Sequence, residues 1–145
     1  MIRRWEKSDD ERIAVIEKEC FSSPWSKEML DGSVDRADFY GLVEEIDGGI
    51  VGYVGSSFDL WEAEILLVCV SEGYRRRGIA ENLLVKVVEY LKKINKEKVF
   101  LEVARENIAA QSLYYKLGFE KIAVREKYYQ GTEDAFVLAL SLKEN

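Results

Sequence analysis

Two different spacings of apolar residues divide the chain into predicted helices and strands. Apolar residues three or four positions apart predict helices over residues 9–20, 27–30, 78–95 and 109–117. Short apolar runs, several bounded by glycine or other turn residues, predict strands over residues 2–5, 39–46, 50–58, 64–70, 99–103, 120–124 and 135–142. This order of elements predicts an α+β fold with a mixed, mostly antiparallel sheet.

The middle of the chain predicts the only parallel pairing. Residues 66–70 are continuously apolar, as in a central strand that is covered on both faces. A long amphipathic helix and the strand at residues 99–103 follow, so the two strands should be parallel and joined by a right-handed crossover. Elsewhere, Asp47-Gly48-Gly49 predicts a hairpin turn, and residues 125–134 should be a long loop between the last two strands.

The first helix is predicted to begin after Ser8, which is a favourable N-cap residue. Its buried face should consist of Ile13, Ile16 and Cys20. The remaining positions of its second half, which are Glu17, Lys18 and Glu19, should lie at the surface. The only proline, Pro24, lies in the loop after this helix, and no linker or repeat interrupts the chain. Residues 1–145 are therefore expected to form a single domain.

The composition is that of a soluble globular protein and narrows the range of partners. The chain has 145 residues, of which 48% are hydrophobic and 33% are charged. A formal net charge of −6 argues against a nucleic-acid partner and would suit a cationic substrate. No run of eighteen apolar residues predicts a membrane span, and the first residues lack the pattern of a signal peptide. A cytoplasmic protein without a membrane partner is expected.

Two residue counts limit the chemistry. The chain contains no histidine, which excludes Ser-His-Asp and Cys-His catalysis and any histidine-ligated metal site. Its two cysteines, Cys20 and Cys69, do not have the spacing of a metal site. Reduced thiols and the absence of a metal are therefore expected.

The stretch from Val68 to Ala80 predicts an anion-binding turn. An apolar strand passes through a turn directly into a helix, whose first backbone N–H groups and positive dipole end can bind a phosphate or a pyrophosphate. Arg75, Arg76 and Arg77 precede Gly78, where the absence of a side chain would allow a ligand to approach the backbone. By spacing alone, a solvated basic cluster at an ordinary helix start is equally compatible.

These features together resemble the GNAT superfamily of acyl-CoA-dependent N-acetyltransferases. The most specific match is Arg75-Arg76-Arg77-Gly78-Ile79-Ala80, the family's glutamine-or-arginine, x, x, glycine, x, glycine-or-alanine turn. The resemblance implies helices on both faces of the sheet, acetyl-CoA as the acetyl donor and a pyrophosphate held at this turn. The residues that it assigns to the cofactor are Val68, Cys69, Val70, Arg75, Arg76, Arg77, Gly78, Ile79, Ala80, Glu81, Asn107 and Tyr114. Many members have a proline where this chain has Glu72.

Three separated motifs resemble the RimI-type branch, which acetylates the N-terminal amine of a ribosomal protein. They are Phe21-x-x-Pro24-Trp25-Ser26, the run from Leu101 to Phe119, and Tyr128-Tyr129 with Glu133-Asp134-Ala135. The branch also includes N-terminal acetyltransferases with broader substrates, so a protein N-terminus is the expected acceptor. The implied acceptor-binding residues are Phe21, Trp25, Tyr128, Tyr129 and Glu133. For Phe21 and Trp25 alone, packing of the loop onto the core is the competing interpretation.

The resemblance also implies a general base and a proton donor. The base would be Glu102, inside an otherwise apolar strand, on the same face as Phe100 and opposite Leu101 and Val103. Tyr114 would protonate the leaving thiol group, because a phenol has a pKa of about 10. Packing of the helix that carries Tyr114 onto the sheet is then assigned to Tyr115. Without the resemblance, Glu102 could simply face solvent, Asn107 could cap a helix, and periodicity does not distinguish Tyr114 from Tyr115 as the packing residue.

The α-amine of a protein N-terminus is a better substrate for a carboxylate base than the side-chain amine of a lysine is. Its pKa is about 7.7–8.0, against about 10.4 for lysine, so far more of it is neutral at pH 7. Two alternatives stay open: acetylation of a lysine or a small polyamine, and a non-catalytic module that binds acyl-CoA. A monomer or a weak dimer is expected.

Overall fold

The computed structural model describes residues 1–129 and 133–143, with side chains described except at 127–129. The strands are β1 (Ile2–Arg4), β2 (Phe39–Ile46), β3 (Gly49–Phe58), β4 (Glu62–Val70), β5 (Lys98–Ala104), β6 (Glu120–Tyr129) and β7 (Glu133–Ser141). The helices are α1 (Asp10–Cys20), α2 (Lys27–Val34), α3 (Ile79–Lys93) and α4 (Ile108–Lys116). Each of the predicted helices and strands is therefore present.

The strands form one sheet in the order β1-β2-β3-β4-β5-β7-β6. Strands β4 and β5 are parallel, which confirms the predicted crossover through α3, and the other recorded pairs are antiparallel. The parallel pairing joins Glu62–Glu64 to Lys98–Phe100 and does not extend to the later residues of either strand. The two central strands therefore separate towards their carboxyl ends.

Helices cover both faces of the sheet, as predicted. On one face, α3 packs through the predicted apolar stripe, of which Ile79, Leu83, Leu84, Val87 and Leu91 are buried. Helix α4 joins the same core through Tyr114. On the other face, a second core contains Ile13 and Ile16 of α1 and Leu30 of α2. The sheet thus separates an α3/α4 face from an α1/α2 face.

Two predicted boundaries change. Residues 125–134 are not one long loop, because β6 continues to Tyr129 and β7 begins at Glu133, where the two residues still pair. Helix α2 continues to Val34 instead of ending at Leu30. Its start agrees with the prediction, since the hydroxyl of Ser26 accepts the N–H of Met29 at 3.2 Å.

Three predictions for the first helix are wrong. Ser8 lies inside a short 3-10 turn, and the carboxylate of Asp9 accepts the N–H of Glu6 there at 2.7 Å. Glu17 is buried instead of exposed. Cys20 is bonded to Cys69 in a disulfide with a Cα–Cα distance of 6.9 Å. The two cysteines are 49 residues apart, so only the packing of α1 on the sheet brings them together.

Candidate active site

The turn between β4 and α3 has the geometry that anion binding requires. Gly78 is the N-cap of α3 and has a φ of 78°, a left-handed conformation that favours glycine. No side chain caps the helix there, and the space beside Gly78 is open to at least 4 Å around the position of a Cβ atom. The first N–H groups of α3 therefore face a region that a ligand can enter.

The three arginines of this turn differ in their surroundings. The Nε of Arg75 donates to the carbonyl of Val70 at 3.0 Å, and its Nη2 lies 3.4 Å from the sulfur of Cys20. The guanidinium of Arg77 lies over the ring of Tyr74, 5.0 Å from its centroid. Arg76 is exposed and has a φ of 65°. The sequence predicts equivalent roles for the three arginines, whereas in the structure the side chain of Arg75 is directed back towards β4.

The alternation of side chains between the two faces of the sheet is interrupted in β4 just before the predicted cofactor residues. The register with β3 shifts between Gly55 and Ser56, which pair with Leu67 and Ile65. After this bulge, Val68 and Val70 contact the α3/α4 core, and Cys69 contacts the other core. Because β5 has already separated from β4, the backbone of this segment faces a gap between the strands.

Glu102 lies on β5 beside this gap. Its neighbours Leu101 and Val103 belong to the α3/α4 core, so Glu102 faces the α1/α2 side, as predicted. Its carboxylate accepts a hydrogen bond from Nη1 of Arg125 at 2.5 Å, and its side chain is 21% exposed. The carboxylate is therefore held in place while solvent can still reach it.

A second carboxylate near Glu102 was missed from the sequence. Glu64 ends the parallel pairing on β4, and its neighbours Ala63 and Ile65 belong to the α3/α4 core. Glu64 therefore shares the face of Glu102. Its surroundings raise its pKa, first through desolvation and then through the negative charge of Glu102, while Arg125 lowers it. Its alternation with Ala63 and Ile65 was the available sequence signal.

Tyr114 lies on the opposite face of the sheet. It is buried in the α3/α4 core and meets Phe119 edge-on, with 5.9 Å between the ring centroids. Tyr115 is 43% exposed, so the assignment of packing to Tyr115 is wrong. Asn107 caps α4, because its Oδ1 accepts the N–H of Ala110 at 3.2 Å. The helix-capping role expected for Asn107 is therefore confirmed.

The predicted acceptor residues come from two loops. Phe21 is 42% exposed, whereas Trp25 is half-buried against the α1/α2 core. Glu133 accepts the N–H of Glu106 at 3.2 Å, so its carboxylate helps to hold the β5–α4 connection. The side chains of Tyr128 and Tyr129 lie outside the described residues. Phe21 and Trp25 thus follow α1 on the face towards which Glu102 points.

Comparison with known proteins identifies the family. The model of the acetyltransferase (GNAT) family matches residues 10–119, which is most of the chain. The chain belongs to the GNAT acetyltransferases. It is 35% identical to an N-alpha-acetyltransferase of Sulfurisphaera tokodaii over 115 residues, covering 70% of this chain and 68% of that protein. It is 30% identical to the [ribosomal protein bS18]-alanine N-acetyltransferase of Escherichia coli K12, covering 88% of this chain and 87% of that protein.

The fold agrees with the same assignment. The crystal structure of the Escherichia coli ribosomal-protein-S18-alanine N-acetyltransferase superposes with a TM-score of 0.93 at 27% identity. It covers all of this chain and 95% of the other. The predicted GNAT fold and the resemblance to the RimI-type branch are both confirmed. The catalytic class is that of an N-acetyltransferase.

Among residues 1–129 and 133–143, no three acidic or cysteine side chains group together as they would around a metal ion. No helix within the same residues is long and apolar enough to cross a membrane.

Proposed function

We propose that this GNAT acetyltransferase transfers the acetyl group of acetyl-CoA to the N-terminal α-amine of a protein. The observation that carries the proposal is that Glu102 lies beside the gap where β4 and β5 separate and faces the α1/α2 side, while Tyr114 belongs to the core on the opposite face of the sheet. A carboxylate on one side can serve the incoming amine. A phenol on the other side can serve the departing thiol group.

The turn before α3 fits the pyrophosphate of acetyl-CoA. The uncapped N–H groups of α3 supply hydrogen-bond donors, and the exposed Arg76 supplies positive charge. The open space at Gly78 gives the ligand access to both. Val68, Cys69 and Val70 would contact the pantetheine arm along the unpaired side of β4. The other residues proposed to contact the cofactor are Arg75, Arg77, Ile79, Ala80, Glu81, Asn107 and Tyr114. When bound, acetyl-CoA supplies an acetyl group activated as a thioester.

Two side chains would move the protons. Glu102 would accept the proton of the attacking amine, directly or through a water molecule, since its side chain is 21% exposed. Tyr114 would hold a proton at its hydroxyl for the leaving sulfur atom. In the proposed direct transfer, the amine nitrogen bonds to the acetyl carbonyl carbon, the carbon–sulfur bond breaks, and no covalent bond to the enzyme forms. Glu64 is the second candidate base, because it shares the face of Glu102 and its surroundings raise its pKa above that of an ordinary glutamate.

The acceptor would enter from the α1/α2 face. Phe21 and Trp25 would form one wall, and Tyr128, Tyr129 and Glu133 the other. A peptide or protein is the substrate class that the named relatives indicate, and a ribosomal-protein N-terminus is the narrower proposal. A cytoplasmic location, a monomer or weak dimer, no nucleic-acid partner and a single domain over residues 1–145 belong to the same proposal.

Mass spectrometry of a peptide panel tests the acceptor. Each peptide is incubated with acetyl-CoA in two forms, one with a free N-terminus and one blocked, and both contain an internal lysine. We expect acetylation of the α-amine in the free peptides and none in the blocked ones. Acetyl-lysine in the blocked peptides, with free α-amines unmodified, would favour a lysine or polyamine acetyltransferase. Binding of acetyl-CoA without transfer to any amine would favour a non-catalytic module.

A further inference from the structure

Glu17 is a buried carboxylate in the α1/α2 core. Its side chain is 1% exposed, and it lies on the helix that leads into the loop of residues 21–26. Its Oε1 accepts the backbone N–H of Trp25 at 3.0 Å. Its Oε2 accepts the hydroxyl of Tyr53, which is fully buried on β3. Both carboxylate oxygens are therefore used, one for the loop and one for the sheet.

A carboxylate at this position is costly unless its hydrogen bonds are needed. Burial raises the pKa of Glu17, while the bonds from Tyr53 and Trp25 oppose that shift. Among the ion pairs of the described part of the chain, none includes Glu17. An apolar residue would fill a core position without the desolvation penalty. The desolvation cost of burying Glu17 is thus accompanied by one structural effect: its carboxylate fixes the position of the backbone at Trp25.

The contact belongs to a two-point attachment of α1 to the sheet. Glu17 and Cys20 are one helical turn apart on α1. Their partners Tyr53 and Cys69 face each other in the antiparallel register of β3 and β4. The carboxyl end of α1 is therefore attached to two neighbouring strands directly before the loop begins. One of them is β4, which borders the proposed cofactor gap.

We infer that Glu17 is a positioning residue for the acceptor substrate, because it fixes the Phe21–Trp25 side of the acceptor site to Tyr53. The inference rests on the proposed function for the identity of the acceptor. Glu17 is buried beneath the loop and does not contact the reacting atoms. Its loss should therefore weaken recognition of the acceptor peptide and leave recognition of acetyl-CoA unchanged.

Steady-state kinetics of three variants test this role. Glu17→Leu combined with Tyr53→Phe removes the carboxylate and the hydroxyl that donates to it, so that no buried hydroxyl is left unpaired. We expect this double variant to raise KM for the acceptor peptide by about tenfold, the effect of one lost charge-assisted hydrogen bond. KM for acetyl-CoA should change less than about twofold. Glu17→Gln should remain near the wild type, because its amide oxygen can still accept the N–H of Trp25.

Ser56→Ala is the matched control. Ser56 is also fully buried on β3, and its hydroxyl donates to the carbonyl of Tyr40 at 2.7 Å, away from the loop. This variant loses a buried hydrogen bond of the same strand and should leave both KM values unchanged. A folded Glu17→Leu/Tyr53→Phe protein with an unchanged peptide KM would overturn the inference. An equal rise in both KM values would do so as well.

Amide hydrogen exchange separates this inference from the proposed function. Loss of Glu17 should accelerate exchange at the amide of Trp25, whereas Ser56→Ala should not. Unchanged exchange would show that Glu17 does not hold the loop, whatever amine the enzyme acetylates. If the wild type acetylates lysines only, the proposed function fails, and the same KM comparison with a lysine peptide then decides the inference.

Discussion

The carboxylate of Glu102 pairs with Arg125 at 2.5 Å, although strand β7 lies between the strands that carry them. Arg125 pairs in register with Ala135, and Ala135 pairs with Ala104 of β5. The guanidinium thus crosses β7 on the α1/α2 face. Because its side chain is 51% exposed, the ion pair contributes little to stability. The ion pair instead orients the carboxylate of Glu102 beside the gap between β4 and β5.

Glu102→Gln should lower kcat by about 10²–10⁴ if Glu102 is the general base. The amide has nearly the same shape and can still accept a hydrogen bond from Arg125, but it cannot take up the proton of the amine. Acetyl-CoA affinity should remain near the wild-type value, because the proposed pyrophosphate contacts lie at the turn before α3. Steady-state kinetics and calorimetric titration with acetyl-CoA measure the two quantities.

Two further carboxylates provide controls for that variant. Glu97 pairs with Lys143 at 3.1 Å just before the other end of β5, and Glu97→Gln should leave kcat unchanged. Glu64→Gln should lower kcat by less than about tenfold, because Glu64 would act only through the charge that it places near Glu102. A larger loss for Glu64→Gln than for Glu102→Gln would move the base to Glu64.

Arg76→Ala should weaken acetyl-CoA binding. All three arginines of the turn are exposed, but Arg75 donates a hydrogen bond to the carbonyl of Val70 and Arg77 lies over Tyr74, so we expect Arg76 to approach a phosphate. At a concentration 100 times Kd, acetyl-CoA should stabilise the wild type by about 2.7 kcal/mol. At the same concentration the variant should gain less. Thermal unfolding with and without acetyl-CoA measures the difference. Lys92→Ala, at the exposed far end of α3, should keep the full gain, and equal gains for both variants would contradict the assignment.

Features that depend on neighbouring residues could be predicted from the sequence. The β4–α3 turn was predicted because the apolar run, Gly78 and the stripe of α3 lie within one short stretch. The face of Glu102 followed from simple alternation along β5. The parallel pairing of β4 and β5 followed from the crossover rule. In each case the physical cause lies within one element or one connection.

Features that depend on distant partners could not be predicted. Glu17 was assigned to the surface, yet Tyr53, 36 residues away, provides a buried hydrogen-bond donor. Arg125, 23 residues from Glu102, had been placed in a loop because β6 extends further than its apolar pattern. Such contacts depend on strand register and on how α1 packs, which a single sequence does not specify.

Asp10 should make the folded state less stable as the pH rises from about 4 to about 7. Its carboxyl is buried and accepts the indole N–H of Trp5 at 2.6 Å. Burial, followed by a hydrogen bond with Asp31, raises its pKa from 3.8 to about 7. In this interval the folded protein retains a proton that the unfolded chain releases, so the free energy of unfolding falls. The pKa of Asp31 is lowered by the same bond, so its contribution lies below this interval.

Asp10→Asn should reduce that pH dependence, because an amide does not titrate. Urea unfolding at several pH values between 4 and 7.5 measures the slope. Asp35→Asn is the control, since Asp35 is exposed and pairs with Lys7 at 2.7 Å. The control should keep the wild-type slope in this interval. Identical slopes for Asp10→Asn and the wild type would exclude Asp10 as the group responsible.

Reduction of the Cys20–Cys69 disulfide should lower the free energy of unfolding by about 3–4 kcal/mol, because the bond restricts the unfolded chain across 49 residues. Urea unfolding with and without reductant measures the loss, and thiol alkylation confirms the redox state. The Cys20→Ala/Cys69→Ala variant should have the same free energy of unfolding as the reduced wild type, and reductant should not change it. A wild type whose free energy of unfolding is also unchanged by reductant would contradict the disulfide.

Since Glu17 lies one turn from Cys20, reduction of the disulfide should increase the effect of Glu17→Leu/Tyr53→Phe on KM for the acceptor peptide. Purely additive effects would mean that the two contacts hold the loop independently.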